Sequence, residues 1–260
     1  STASLIGPAL AGAVAIAAGA TVAVVVSVAL VALAGPVSWS LPARAARPDP
    51  APVLAELAAG ARAVLGNRAL LRVTLVTTVS IAGTGMLVVS SPVLGESLLG
   101  GPEHGAMLLS VMAVAALLAN LLLARRPLPV RPDTVVLVCV LVQAAGVVGV
   151  LLAPSAPWLI LAAAVVGAAE GPQLTHLFAV RHREAPERLR TQVFTTAASL
   201  KVSAFAAGAA LAGPLADLSL PLCLAAAAAL QTCAALIHLA VRPLMSGREK
   251  PRRGRRLLSW

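Results

Sequence analysis

Residues 125–157 read RRPLPVRPDTVVLVCVLVQAAGVVGVLLAPSAP, and they hold one long uncharged run between two different kinds of break. Three arginines within 125–131 precede the run 134–153, whereas the break after it, residues 154–157, has no charge. A helix that crosses the hydrocarbon core of a bilayer needs about 20 mostly apolar residues. The segment therefore predicts a transmembrane helix with a basic loop at one end and a neutral loop at the other.

The same alternation continues in both directions along the chain. Lys and Arg concentrate in alternate breaks, and the breaks between them hold only Glu96, Glu103 and Asp217 as charges. Cytoplasmic loops carry the excess of Lys and Arg, so the basic breaks and both termini are predicted to be cytoplasmic. The basic breaks contain Arg44, Arg47, Arg62, Arg68 and Arg72; Arg125, Arg126 and Arg131; Arg181, Arg183, Arg188 and Arg190; and the tail from Arg242 to Arg256.

The pattern predicts an all-α, polytopic membrane protein with about eight transmembrane helices. The predicted spans lie near residues 1–18, 20–41, 70–92, 105–124, 134–153, 157–180, 191–214 and 218–241.

Composition excludes several classes of protein. The chain is 59% hydrophobic and 12% charged, with a mean hydropathy of +0.92, which is more apolar than a soluble domain of 260 residues requires. Its net charge of +10 lies in membrane-flanking loops rather than on one folded face, so nucleic acid is not expected as a partner. The three cysteines and four histidines have no metal-ligand spacing. We therefore expect neither an enzyme nor a cofactor.

Residues 43–69 differ from the spans on either side. They begin with a Pro-rich segment, after which apolar residues recur at helical spacing: Leu54, Leu57, Ala61, Val64 and Leu65. This pattern predicts an amphipathic helix on the cytoplasmic surface. It separates residues 1–42, which hold two spans, from a six-span unit at 70–242, and a polybasic tail follows at 243–260. The tail is expected to attract anionic lipid.

A short motif occurs twice, six spans apart. Gly7-Pro8-Ala9-Leu10-Ala11-Gly12 matches Gly208-Ala209-Ala210-Leu211-Ala212-Gly213 at five of six positions. Small residues at this spacing let helices approach closely, so both copies are candidate helix-packing motifs. A six-span repeat with a cytoplasmic amphipathic segment between the units resembles the major facilitator superfamily, whose two six-helix halves are related by an axis along the membrane normal.

Further segments bear on this resemblance. The motif at 7–12 is similar to the antiporter-associated Gly-Pro motif of the family's fifth helix, and residues 185–190 resemble the stretch between its tenth and eleventh helices. Residues 66–72 resemble the start of its seventh helix. The loop 119–131 departs from the family's charged signature, because Leu123 stands near the expected Asp. The resemblance implies the C-terminal two-thirds of a bacterial efflux-type transporter, helices five to twelve, with the earlier helices as a missing partner.

Two charged residues fall inside predicted spans at the same depth. Glu170 lies ten residues before Val180, and Lys201 lies about ten residues after Thr191. At 1.5 Å per residue, both are about 15 Å from the cytoplasmic face. A charge at that depth costs several kcal/mol unless it is partnered, and such residues usually face a cavity or a proton path. We expect Glu170 to take up and release a proton while Lys201 neutralises it or the substrate. The alternatives are a static pair that fixes helix packing, or two side chains in an aqueous cavity with no role in coupling.

Neighbours of Glu170 extend this candidate site. Gly171 and Pro172 interrupt the helix near the midplane, where transporters tend to place binding sites, although an ordinary proline kink explains them equally well. Gln173, one turn away, is predicted to line the same cavity, and His176 is a candidate proton relay or an ordinary interfacial histidine. Other residues predicted to act at helix interfaces or membrane ends are Asn120, Gln143 and His238, which hydrogen-bond between helices; Phe205, which packs or contacts substrate; and Arg72, which snorkels.

The resemblance implies secondary transport by alternating access around a midplane site. The first interpretation is efflux of a small, hydrophobic molecule against proton entry, because of the Gly-Pro motif and the apolar spans. The alternatives are an importer of a small polar solute, a non-transporting truncated membrane protein, and a membrane-embedded enzyme, for which the Arg-rich loops offer no catalytic cluster. The expected location is the bacterial plasma membrane, with the lipid bilayer, a small-molecule substrate and protons as partners.

Overall fold

The computed structural model describes residues 53–125 and 130–241, together with eight helical positions between 22 and 33. Over these residues the chain is all-helical, which confirms the predicted fold class. The helices are α1 (Val53–Gly66), α2 (Arg68–Leu99), α3 (Gly105–Arg125), α4 (Pro132–Leu151), α5 (Ala156–Glu184), α6 (Arg190–Leu218) and α7 (Leu220–Ala240), with single 3-10 turns at Pro102–His104 and Glu187–Leu189.

Six of these helices, α2 to α7, are long and apolar enough to cross a membrane. Each of them overlaps one of the last six predicted spans. The other predictions concern parts of the chain outside the described residues, apart from the few positions between 22 and 33: the spans 1–18 and 20–41, the motif residues Gly7, Pro8 and Gly12, and the tail 243–260. The division into domains at 1–42, 43–69 and 70–242 stays a prediction.

Helix α2 is longer than its predicted span, 70–92, and its two ends show why. The side chain of Asn67 accepts hydrogen bonds from the backbone N–H groups of Ala69 and Leu70 at 2.9 and 3.2 Å, which caps the first turn. The helix continues past the apolar run and ends at Gly100, whose φ of 88° is readily adopted only by glycine. Helix length here follows the cap residues rather than the hydropathy.

The helices pack around α2, which contacts α3, α5, α6 and α7. Helix α5 packs mainly on α3 and α4, whereas α6 packs mainly on α2. Helices α5 and α6 are consecutive in sequence but hardly touch each other. A gap therefore opens between two helices that a short turn connects.

The interior of the bundle has three levels. One apolar cluster includes Met86, Val147, Leu159 and Leu224, and a second includes Val73, Val140, Leu177 and Ala234. Both clusters draw residues from α2, α4, α5 and α7. Between them on each of these helices lies a buried polar residue, and these residues are Ser80, Gln143, Gln173 and Gln231. The bundle thus has a polar layer at mid-depth between two apolar layers.

Helix α1 packs on the bundle at the end where α2 begins. A Cβ on Gly60 would lie 2.9 Å from the backbone oxygen of Gln192, so α1 and α6 approach closely there. Val64 is buried in a cluster with Leu70 and Val193. Helix α1 therefore packs against the adjoining ends of α2 and α6.

Helices α2 and α6 cross in close backbone contact at Gly208. A Cβ at this position would overlap the backbone of Ala82, whereas a Cβ at Gly213 would meet nothing within 4 Å. The two glycines of the second sequence motif therefore differ in role: Gly208 lies at a helix crossing, and Gly213 faces open space in the described part of the chain.

We predict that Gly208→Val destabilises the bundle and that Gly213→Val does not. The clash at residue 208 involves backbone atoms that cannot rotate away, and overpacking of this kind typically costs about 1–3 kcal/mol. The measurement is the thermal unfolding midpoint of each variant in detergent, with size-exclusion chromatography to detect aggregation. Equal midpoints for the two variants would contradict the assigned crossing.

Candidate functional site

The gap between α5 and α6 forms a cavity of about 370 Å³ that α2 and α3 close on the other sides. Its walls are mostly apolar, with two charges, three small polar groups and two phenylalanines. The lining residues are Ile81, Thr84, Val88, Leu109, Met112, Ala113, Ala116, Asn120, Glu170, Gly171, Leu174, Thr175, Phe178, Lys201 and Phe205.

Glu170 and Lys201 face this cavity from opposite helices, α5 and α6. Both side chains are half-buried. Within the described residues no ion pair shorter than 4.0 Å joins them, and neither side chain has a hydrogen-bond partner. The structure therefore brings the two predicted charges to one cavity, and each remains accessible to a molecule inside it.

The close packing of α5 on α3 fixes the position of Glu170. A Cβ on Gly171 would lie 2.5 Å from the backbone oxygen of Ala116, and one on Gly167 would overlap the backbone of Met112. Gly167 and Gly171 are four residues apart, a spacing that lets two helices approach closely. Because Glu170 directly precedes Gly171, this crossing fixes the depth at which the carboxyl group enters the cavity.

Pro172 and His176 form a local pair on α5. Proline has no backbone N–H, so the carbonyl of Ala168 loses its usual helical donor. The Nδ1 atom of His176 lies 2.8 Å from the carbonyl oxygen of Pro172. A carbonyl only accepts, so the ring donates its Nδ1 proton there. His176 lines neither the large cavity nor the smaller one beside it. Its role as a proton relay stays a prediction.

Gln173 lies beside a smaller cavity of about 30 Å³, which Glu170 and Lys201 also line. Its Oε1 accepts a hydrogen bond from Gln143 Nε2 at 2.9 Å. Gln143 Oε1 lies 3.2 Å from the hydroxyl of Ser80, and that hydroxyl lies 2.7 Å from Gln231 Oε1. A continuous row of buried polar side chains thus connects α5, α4, α2 and α7. At its α5 end the row reaches the small cavity, which Glu170 also lines.

Two of the three phenylalanines lie at the large cavity. The chain has three phenylalanines and no tyrosine, and all three phenylalanines lie on α5 and α6. Phe178 and Phe205 line the cavity, and Phe178 stacks on Phe194 with the ring centroids 5.8 Å apart. Phe178 and Phe205 therefore lie where they can contact a bound molecule.

A second charged cluster joins the ends of α2, α4 and α5 on the predicted cytoplasmic side. Arg72 is buried, with 4% of its surface exposed, and its guanidinium donates to the carboxylate of Asp133. Arg183 donates to the other carboxylate oxygen of Asp133 at 3.2 Å and to Glu184 at 2.9 Å. The prediction that Arg72 snorkels to the membrane surface is wrong, because Asp133 offers it a charged partner inside the bundle.

Sequence reasoning missed Asp133. The resemblance to the major facilitator superfamily predicts an Asp near position 123, where the chain has Leu. A signal was nonetheless present, because Asp133 is the only acidic residue between Glu103 and Glu170 and lies in the first turn of an apolar helix. An acidic residue there also interacts favourably with the positive end of the helix dipole.

The fold and the site together define a protein with six helices able to cross a membrane in its described part and a cavity between them that two charged side chains face. The profile of the Major Facilitator Superfamily matches residues 1–213, which is most of the chain. The chain therefore belongs to the major facilitator superfamily and is a membrane transporter of that type. No curated protein and no solved structure matches it.

We predict that Asp133→Asn destabilises the folded protein. Removing one partner of a buried ion pair leaves an uncompensated charge, here Arg72, at a cost of about 3–5 kcal/mol. The measurement is the free energy of unfolding in detergent. Glu103→Gln is the matched control, because the Glu103 side chain is 65% exposed.

The double variant Arg72→Met/Asp133→Asn tests the cause of the loss. Without a buried charge, it should recover part of the stability that Asp133→Asn loses. Equal stability of Asp133→Asn and Glu103→Gln would show that the pair contributes nothing.

Proposed function

We propose that this transporter exports small, hydrophobic molecules in exchange for protons, and that Glu170 is the proton-carrying group. The observation that supports this most is the large cavity, in which one carboxylate and one ammonium group face a mostly apolar space without pairing with each other. Intramembrane ionisable residues that face a cavity are usually part of a substrate or ion pathway.

We expect protonation of Glu170 to shift the conformational equilibrium of the transporter. When Glu170 is ionised, its charge balances that of Lys201 across the cavity. When Glu170 binds a proton, the positive charge of Lys201 remains uncompensated in a region of low dielectric constant. We propose that forms of the cavity open to opposite sides of the membrane differ in how far they expose Lys201 to water, so that the proton shifts the equilibrium between them. A ligand shifts such an equilibrium only through a difference of this kind.

The apolar walls support a hydrophobic cargo. Ile81, Val88, Leu109, Met112 and Leu174 are among the lining residues. Phe178 and Phe205 add two flat rings, which bind apolar molecules through large contact areas. A binding site of this kind typically has a few polar groups that orient the ligand, and Asn120, Thr84 and Thr175 supply them.

A second candidate is import of a small polar solute. The observation in its favour is the polar part of the lining, where the Thr175 hydroxyl lies 3.2 Å from Asn120 Oδ1 in the cavity that Glu170 also lines. The apolar part of the lining is larger, and for this reason we favour export of hydrophobic cargo. We also propose that the protein lies in a bacterial plasma membrane with its C-terminus cytoplasmic, which the distribution of arginines supports. An enzymatic step is not part of the proposal.

We predict that Glu170→Gln abolishes transport that depends on a pH gradient. The amide has nearly the shape of the carboxyl group but cannot bind and release a proton. The measurement is the movement of lipophilic fluorescent compounds in proteoliposomes with and without an imposed pH gradient. Glu96→Gln, at the far end of α2 and outside both cavities, is the matched control. Unchanged gradient-driven transport by Glu170→Gln would remove Glu170 from the coupling mechanism.

We predict that Phe205→Ala weakens cargo binding about tenfold. Full burial of a large apolar side chain contributes roughly 1.5–3 kcal/mol, and about 1.4 kcal/mol corresponds to a factor of ten in affinity. The half-saturating concentration of an aromatic compound should rise, while the maximal rate changes less. Val202→Ala is the control, because Val202 is on the same helix, 68% exposed and outside the cavity lining. A polar cargo that is unaffected by Phe205→Ala would favour the importer instead.

A further inference from the structure

Glu170 and Lys201 lie at an unusual depth for charged residues of this chain. In its described part, they are the two charged residues of α2 to α7 that lie more than two turns from a helix end. The other charged residues of these helices, such as Arg72 and Asp217, lie near an end, where water or another charged group is within reach. A charge at mid-membrane depth is costly unless it is compensated, so these two side chains need partners.

The two side chains do not compensate each other directly. They line the same two cavities, one from α5 and the other from α6. Within the described helices they form no ion pair with each other, whereas Arg72 and Arg183 both pair with Asp133 at the helix ends. A charge-assisted hydrogen bond between an ammonium group and a carboxylate spans about 2.7–2.9 Å. The space between Glu170 and Lys201 is therefore open to a molecule that carries a partner for each.

The charge of a ligand determines how well it fits between these two groups. A ligand that fills the cavity displaces water, and a charge that it leaves unpaired destabilises the complex. A neutral ligand offers a charged partner to neither side chain. A cation compensates Glu170 alone, and an anion compensates Lys201 alone. A zwitterion compensates both side chains, because it carries an ammonium group and a carboxylate.

Apolar residues beside the two charges provide space for the rest of the ligand. A Cβ on Gly167, about one turn before Glu170, would overlap the backbone of Met112, so Met112 lies about one turn from the carboxylate. Phe205 lies one turn beyond Lys201 on α6, and both Met112 and Phe205 line the large cavity. The cavity has a volume of about 370 Å³. Pockets for drug-sized ligands have volumes of roughly 300–1,000 Å³. A charged head and an apolar body therefore both have space in this cavity.

We propose that the large cavity binds small zwitterions that carry an apolar or aromatic body. The ammonium group of the ligand binds Glu170, its carboxylate binds Lys201, and its body lies against Met112 and Phe205. This inference rests on the proposed function and deepens it, because it gives the hydrophobic cargo a head group with both charges. Amino acids with large aromatic side chains belong to this class, as do amphoteric compounds of similar size.

Four compounds with the same apolar body test the charge preference. They are biphenylalanine, a zwitterion; biphenylethylamine, a cation; biphenylpropanoic acid, an anion; and biphenylethanol, which is neutral. At about pH 7 their amino groups are mostly protonated and their carboxyl groups are ionised. The measurement is isothermal titration calorimetry of the 260-residue chain in lipid nanodiscs, with empty nanodiscs as the blank. The zwitterion should bind on the order of tenfold more tightly than each of the others, because each of them lacks at least one hydrogen bond between charged groups.

Two variants that remove a charge assign each end of the ligand. Glu170→Gln should weaken binding of the two compounds with an ammonium group, so that the acid becomes the preferred ligand. Lys201→Met should weaken binding of the two compounds with a carboxylate, so that the amine becomes the preferred ligand. The affinity for biphenylethanol should stay unchanged in both variants, which shows that the cavity still forms.

Two further variants are matched controls. Glu96→Gln and Arg62→Met each remove one charge from an exposed side chain outside the lining of both cavities. Both should keep the preference of the unaltered protein for the zwitterion.

The outcomes separate the cargo class from the proposed coupling. Tightest binding of the zwitterion, with the two changes of preference, supports the proposal. Equal or tighter binding of the neutral or a singly charged compound by the unaltered protein overturns it, as does a lack of saturable binding of the zwitterion. The proposed function survives that result if Glu170→Gln still abolishes gradient-driven transport of neutral lipophilic compounds. If the zwitterion binds as expected and Glu170→Gln leaves gradient-driven transport unchanged, the cargo class holds and the proton coupling is wrong.

Discussion

The mid-membrane polar layer is the constraint on which the bundle depends. In lipid no water is available for exposed polar groups, so each must find its partner inside the protein. Ser80 and the three glutamines can meet these requirements only when four helices keep one relative height. The apolar clusters above and below stabilise the bundle but fix register weakly, because Val, Leu and Ala pack in many ways. Hydrogen bonds are directional, so the layer determines the register of α2, α4, α5 and α7.

The cavity exists because α5 and α6 each pack closely on another helix but hardly touch each other. Glycines bring α5 close to α3 and α6 close to α2, as the contacts of Gly171 and Gly208 show. No such contact holds α5 against α6, so the space between them stays open and receives the charged side chains. The glycines therefore shape the site indirectly, because they determine which helices pack closely and which are left apart.

Much of the fold could be predicted from the sequence, and less of the site. Hydropathy and arginine placement fixed the six described spans, because each span is a local property of about 20 residues. Counting residues also placed Glu170 and Lys201 at one depth. Counting could not show that α5 and α6 separate, nor that Asp133 pairs with Arg72, because these facts depend on which helices become neighbours. Gln143 was predicted to hydrogen-bond between helices, but the identity of its partners depends on how the helices pack in three dimensions.

The position of the cavity between consecutive helices has an evolutionary consequence. Both charges and both phenylalanines of its lining lie within residues 170–205, on α5, α6 and the turn between them. Three of the four residues of the polar layer, Ser80, Gln143 and Gln231, lie outside that segment, and Gln173 lies within it. A single short recombination event spanning that segment would exchange most of the chemically distinctive wall while leaving α2, α4 and α7 intact.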